Sequence, residues 1–255
     1  MNESPRKSSM RDTFESLVVT VVLAIFGTTF VLQAFKIPTG SMENTLLIGD
    51  HLLVNKFIFA PQNRLLALLL PSRDLRRGDV VVFKFAPTDE QTEPGEHFVK
   101  RVIGVPGDHI RIFHRQVYVN GRLLNEPYVR HDPAFIDELR PGDDFPPPDG
   151  EYLPGATSAW EAEMPSDVKQ GELIVPAGKY FVMGDNREQS WDSRFWGFVS
   201  RDVVIGRPVL IYWSFETSRD EYLHNSLSDR VSQIVDLIIH FPTKTRWRRT
   251  FRLVR

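Results

Sequence analysis

From Ser16 to Phe35 the chain runs for 20 residues without a charge, most of them Val, Leu, Ile, Phe or Ala. At ~1.5 Å per residue a helix of that length measures roughly 30 Å, the thickness of a bilayer's hydrocarbon core. A cleavable leader has a shorter apolar region that closes on small residues. This run closes on "LQAFK" instead. The expectation is one retained transmembrane helix at 16–35, preceded by a short segment at 1–15. Three basic residues precede the run (Arg6, Lys7, Arg11), and only Lys36 falls in the twenty residues after it. That bias predicts a cytoplasmic N-terminus, with everything after Lys36 outside the cytoplasm.

Beyond the run the pattern changes. Segments such as "HLLVNKF" (51–57), "DVVVFKF" (79–85), "HFVKRVIGV" (97–105), "HIRIF" (109–113), "KYFVMG" (179–184) and "VVIGRPVLIYW" (203–213) are β-branched and aromatic. Gly, Pro and Asp punctuate them, which is the pattern of strands. Asn120-Gly121 is the pair that a two-residue type I′ hairpin turn demands, because both positions need φ > 0. No helical periodicity of useful length shows between 36 and 215. The expected fold is mainly β: an antiparallel, partly barrel-like catalytic domain at 36–215 behind one N-terminal transmembrane helix.

The 31 Lys and Arg nearly balance the 33 Asp and Glu. No global field draws the chain to nucleic acid, so electrostatic partners must come from local clusters. From His131 to Asp167 there are ten acidic residues against one Arg, with several prolines. This part of 131–170 reads as a solvated, irregular insertion, ordered only in part. Within the tail at 216–255, "VSQIVDLIIHF" (231–241) reads as an amphipathic helix ended by Pro242. "KTRWRRTFRLVR" follows with six basic residues and no acidic one. It is either a solvated end or a contact for membrane phospholipid, with Trp247 and Phe251 at the interface. "RLLALLLP" (64–71) is too short to span a bilayer, so it is either core or a surface that leans on lipid.

The absence of cysteine excludes disulfides, thiolate nucleophiles and thiolate metal sites. The seven histidines (His51, His97, His109, His114, His131, His224, His240) stand singly, without metal-ligand spacing, and read as structural or surface groups. Hydroxyls and amines remain. Ser41, between Gly40 and Met42, becomes a nucleophile only if a base takes its proton. Lys100 has the most apolar setting of any lysine outside the anchor. Strand alternation puts it on a face with Phe98 and Val102. Burial there would lower its pKa by several units from ~10.4. A third segment, "GDNREQSWDSRFWGFV" (184–199), gathers Asp185, Arg187, Asp192 and Arg194 around Ser190 and Ser193.

Taken in order, "IPTGSMENTLLIGD", "RRGDVVVFKF", "FVKRVIGVPGD" and "GDNREQSWDSRFWGFV" resemble the sequence boxes of type I signal peptidases. The resemblance runs from about Phe14 to Phe215. It implies Ser41 as nucleophile, Lys100 as general base and Ser190 as the hydroxyl that orients the amine. It also implies an oxyanion hole from the Ser41 N–H and the Thr39 hydroxyl. Asp185, Asp192, Arg101 and Arg194 match the residues that buttress the site through ion pairs. Asn44 stands where proline is common, which predicts a less rigid turn after the nucleophile. Ile37, Pro38, Met42, Leu46, Phe98 and Val99 match the walls of shallow pockets that admit small side chains, as in A-x-A. The family's partners are preproteins with cleavable signal peptides, its setting a bacterial inner membrane, and it needs neither metal nor cofactor. The layout agrees, since the five residues from Lys36 to Ser41 reach at most about 18 Å and keep the nucleophile near the lipid surface.

Overall fold

The computed structural model describes residues 9–27, 32–59, 72–85, 96–132, 139–148, 151–217 and 227–254. Four helices and thirteen strands occur among them. α1 (Ser9–Phe26) leads to β1 (Leu32–Lys36), β2 (Asp50–Asn55), β3 (Val80–Phe85), β4 (Glu96–Gly104), β5 (His109–Phe113), β6 (Gln116–Val119) and β7 (Arg122–Leu123). α2 (Ser158–Asp167), β8 (Val168–Lys169), β9 (Glu172–Ile174) and β10 (Lys179–Met183) follow. The chain ends with α3 (Ser193–Trp196), β11 (Val199–Ser200), β12 (Val204–Ser214), α4 (Leu227–Lys244) and β13 (Arg252–Leu253).

All strand pairs are antiparallel. The larger sheet has the order β1-β2-β12-β3-β4-β10-β11, with β13 added to β12, and the smaller has the order β7-β6-β5-β9-β8. Among the described residues neither sheet closes on itself, and the expected partly barrel-like domain is seen as two open antiparallel sheets. The β6–β7 turn has φ of 53° at Asn120 and 72° at Gly121, the mirror-image geometry expected of that dipeptide.

Three apolar clusters share β4. Val99 packs against the cluster of Met42, Leu46 and Val54. Val102 belongs with Val81, Phe83 and Val182, and Ile103 with Ile110, Phe181 and Met183. From Lys100 onward every residue of β4 is buried. Both faces of the strand are covered, so an amine and a guanidinium at consecutive positions are both withdrawn from water.

The apolar run at 16–35 does not form one helix. α1 stops at Phe26, and Leu32 to Lys36 form a strand registered on Asn55 to His51. Arg11, Asp12 and Glu15 occupy the first turns of α1. No helix among the described residues is long and apolar enough to cross a membrane.

The acidic stretch also departs from expectation. Phe145, Leu153, Trp160 and Met164 are buried in one cluster. Phe145 exchanges both backbone hydrogen bonds with Ile112, at 2.7 and 2.9 Å, and Asp143 is buried against Arg115 at 2.8 Å. Thr157 caps α2 by accepting from the Trp160 N–H. These four apolar residues, spaced among carboxylates, anchor the described parts of the segment, 139–148 and 151–167; 133–138 and 149–150 lie outside the described residues. In the tail, the described residues 227–254 form a helix and a short strand. Pro242 sits inside the last turn of α4 and does not end it. The patch at 64–70 lies outside the described residues.

Candidate active site

Ser41 sits in a single 3-10 turn, Gly40–Met42, entered from an extended Thr39. Buried Met42 and Leu46 anchor the turn, and the N–H groups of Thr45 and Leu46 both donate to the Met42 carbonyl, at 3.1 and 2.8 Å. Ile37 N–H to Asp50 O (2.9 Å) and Gly49 N–H to Ile37 O (3.0 Å) close the base of the loop. Asn44 has φ of 91° and donates its Nδ2 to the Tyr128 carbonyl at 3.0 Å. Proline is locked near −65° and is barred from that conformation. Here a left-handed asparagine, tied to the Tyr128 carbonyl, stands at the position where the resemblance leads one to expect proline.

Lys100 Nζ donates to Ser41 Oγ at 2.7 Å. The two groups are 3% and 9% exposed. Burial pulls the Lys100 amine down to about 8; Asp192 and Asp185 favour its charged form, and Arg194 opposes it. An amine in that range is partly neutral near physiological pH and has a lone pair to take a proton.

Ion pairs frame this contact. Arg101 grips Asp185 with two parallel bonds, Nε–Oδ1 at 2.8 Å and Nη2–Oδ2 at 2.7 Å, and its guanidinium carbon lies 3.9 Å from the centre of the Tyr128 ring. Asp185 also accepts from the Thr45 hydroxyl at 2.5 Å. Arg194 binds Asp192 through Nε at 2.8 Å and Nη2 at 3.0 Å and donates to the Arg187 carbonyl at 2.7 Å. Burial raises the Asp192 carboxyl, but the Arg194 guanidinium and the Gly184 N–H outweigh it and hold the group below the ordinary carboxylate range. Asn186 secures the Ser41 turn, since its backbone N–H donates to the Ser41 carbonyl and its Nδ2 to the Gly40 carbonyl, each at 3.1 Å.

Gly184 is required by space. A Cβ there would stand 2.3 Å from Ser190 Oγ and 2.4 Å from the Ser41 carbonyl oxygen. The Ser190 hydroxyl is buried at this spot and helps to hold the Asp192 carboxylate in its charged form; its expected bond to Lys100 is not made in this structure.

The signal peptidase family, peptidase S26, matches residues 10–213. The chain belongs to this family. The probable signal peptidase I-2 of Synechocystis sp. is 36% identical over 213 residues, covering 83% of this chain and 77% of that protein. Signal peptidase I of Pseudomonas aeruginosa is 31% identical over 224 residues (83% and 74%). That of Aquifex aeolicus is 31% identical over 233 residues (80% and 85%). As a type I signal peptidase the chain is a serine peptidase whose substrates are preproteins carrying signal peptides.

Within this signal peptidase the expected pocket residues divide. Ile37, Met42 and Leu46 are buried in one core cluster, with Val99 packed against it. They support the surface from beneath. Pro38 is exposed, and Phe98 is half-buried with its ring centre 6.0 Å from Lys100 Nζ. Thr39 is exposed two residues before Ser41 and makes no cap bond to the turn. Thr45, Asn186 and Tyr128 were not singled out from the sequence. The first two lie inside the quoted boxes, where each could have been found as a polar residue flanking an acid or the nucleophile. Tyr128 stands in no motif.

Proposed function

We propose that this signal peptidase cleaves by a Ser41–Lys100 dyad. The observation that carries the reading is the buried 2.7 Å contact between a hydroxyl and an amine whose pKa is depressed to about 8. Neutral Lys100 accepts the Ser41 proton, and Ser41 Oγ attacks the scissile carbonyl. The Ser41 N–H and the Thr39 hydroxyl stabilise the oxyanion, and the ammonium returns its proton to the leaving amine. The acyl-enzyme is then hydrolysed by water activated through the same amine. Ser190, buried beside Gly184, orients the amine once Ser41 has given up its proton. Asp185, Asp192, Arg101 and Arg194 keep the two loops in place. Preference for small side chains before the cut follows from a shallow surface floored by core residues at Ile37, Met42 and Leu46 and edged by Pro38, Phe98 and Val99. A large side chain would find no volume there.

The N-terminal segment anchors the enzyme in a bacterial inner membrane as a single pass, with the catalytic domain on the extracytoplasmic side. In support, Phe14, Leu17, Val19, Val22 and Leu23 of α1 are all more than half exposed, an apolar surface that lipid would cover. Exposed Trp247 and Phe251 beside Arg248 and Arg252 suit contact with phospholipid headgroups. The test is cleavage of one preprotein by the detergent-solubilised chain. Ser41→Ala and Lys100→Ala should each abolish product while remaining folded. Turnover by either variant would reject the dyad.

A further inference from the structure

The family match ends at 213, yet the segment beyond it folds back onto the nucleophile loop. Glu216 N–H donates to the Lys244 carbonyl and Arg246 N–H to the Ser214 carbonyl, both at 2.8 Å. β13 pairs with Leu210 and Ile211 of β12. Val254 is buried in the same cluster as Met42 and Leu46. This path carries two arginines across the loop. Arg249 Nη2 donates to Asp50 Oδ2 at 2.5 Å and to the Thr45 carbonyl at 3.0 Å, while its Nε reaches Asp50 Oδ1 at 3.3 Å. Arg246 Nη2 donates to the Phe215 carbonyl at 2.8 Å and to the Ile48 carbonyl. Asp50 is fully buried and also accepts from Leu47 N–H at 2.8 Å and Ser214 Oγ at 2.6 Å.

Thr45 is therefore held from two directions. Its hydroxyl is tied to Asp185 and Arg101 on the side of the site, its carbonyl to Arg249 on the side of the tail. Its N–H closes the turn on Met42, the residue after Ser41. We infer that Arg249, from outside the matched region, is a positioning residue for the reaction: it fixes the turn after Ser41 so that the hydroxyl meets Lys100. A planar guanidinium can serve a carboxylate and a carbonyl at once, and an ammonium reproduces this poorly. The inference rests on the Ser–Lys reading above.

The test compares steady-state preprotein cleavage by the full-length detergent-solubilised wild type, Ser41→Ala, Arg249→Ala, Arg249→Lys and Arg122→Ala, the last an exposed residue of β7. Loss of positioning predicts that Arg249→Ala lowers kcat at least ~10-fold with KM within about twofold, because the contact acts on the reacting group and not on substrate binding. Millimolar guanidinium ion should restore part of that kcat, Arg249→Lys should fall between, and Arg122→Ala should match wild type. Should Arg249→Ala fail to fold, Arg249→Lys keeps a charge against Asp50 and gives the same reading through its kcat. Wild-type kcat in the folded Arg249 variants, or a change confined to KM, overturns the inference alone. Cleavage by Ser41→Ala would overturn the Ser–Lys reading and the inference with it.

Discussion

Replacing Lys100 by methionine should abolish cleavage and make the protein more stable. Burial moves the amine from 10.5 to about 8, so between those values the unfolded chain binds more protons than the folded one. Stability therefore rises with pH across that window, and the penalty is present in full below about 8. A shift of that size at ~1.36 kcal/mol per unit amounts to about 3 kcal/mol at pH 7. Methionine has nearly the same length and carries no charge. It forfeits the bond to Ser41 Oγ, roughly 1 kcal/mol. Lys100→Met should thus gain about 2 kcal/mol at pH 7, a rise in Tm of about 4–8 °C for a domain of this size. Near pH 10 most of the penalty has gone, and the two proteins should be about equally stable. Urea denaturation followed by tryptophan fluorescence at both pH values measures the difference. A variant less stable than wild type at pH 7, or an advantage undiminished at pH 10, would refute the claim that desolvation sets the amine's pKa.

The same amine governs the pH–rate profile. On acidification below about pH 8, kcat/KM should fall about tenfold per unit, whereas a midpoint near 6.5 would indicate a histidine base. Gly184→Ala places a methyl 2.3 Å from Ser190 Oγ and 2.4 Å from the Ser41 carbonyl. Displacement of the nucleophile should cost at least ~100-fold in kcat, and retained activity would show that the loop can yield. Asp185→Ala leaves Arg101 buried and without its bidentate partner. A loss of about 3–5 kcal/mol in urea-measured stability is expected, and a loss under 1 kcal/mol would mean that water reaches the guanidinium.

Most of the larger sheet is legible in the residues. β-branched runs with period-two alternation give β2, β3, β4, β5, β10 and β12 nearly to their ends, and Asn120-Gly121 gives a turn with its dihedral signs. The dyad is legible for a different reason. A lysine on an apolar strand and a serine between Gly and Met are each ordinary alone, so the pairing of Ser41 with Lys100 is legible only through the resemblance of the ordered boxes. Where the reading stops, long-range contacts decide. The acidic stretch has the local character of a loop, but Phe145 and Trp160 find partners more than thirty residues away, at Ile112 and Arg194. α2 contains Pro165 and only two buried side chains, too little periodicity to announce a helix. At the N-terminus hydropathy predicts one continuous helix, but the ladder from Leu32 to Lys36 against β2 diverts the last residues of the run. The basic tail reads as a solvated end or a phospholipid contact because charge is visible in a sequence and buried counter-charges such as Asp50 are not.

The amine and the guanidinium that frame the site are neighbours in the chain, facing opposite sides of β4, with Val81 opposite Lys100 and Val80 opposite Arg101. Moving this strand one position along β3 can set Arg101 where Lys100 now stands, with Val102 in the place of Arg101. A guanidinium in the amine's place could never surrender its proton at any pH a cell tolerates. Whether the protein is an enzyme or an inert sheet thus hinges on a frame one residue wide, kept by the apolar packing of Phe98, Val102 and Ile103.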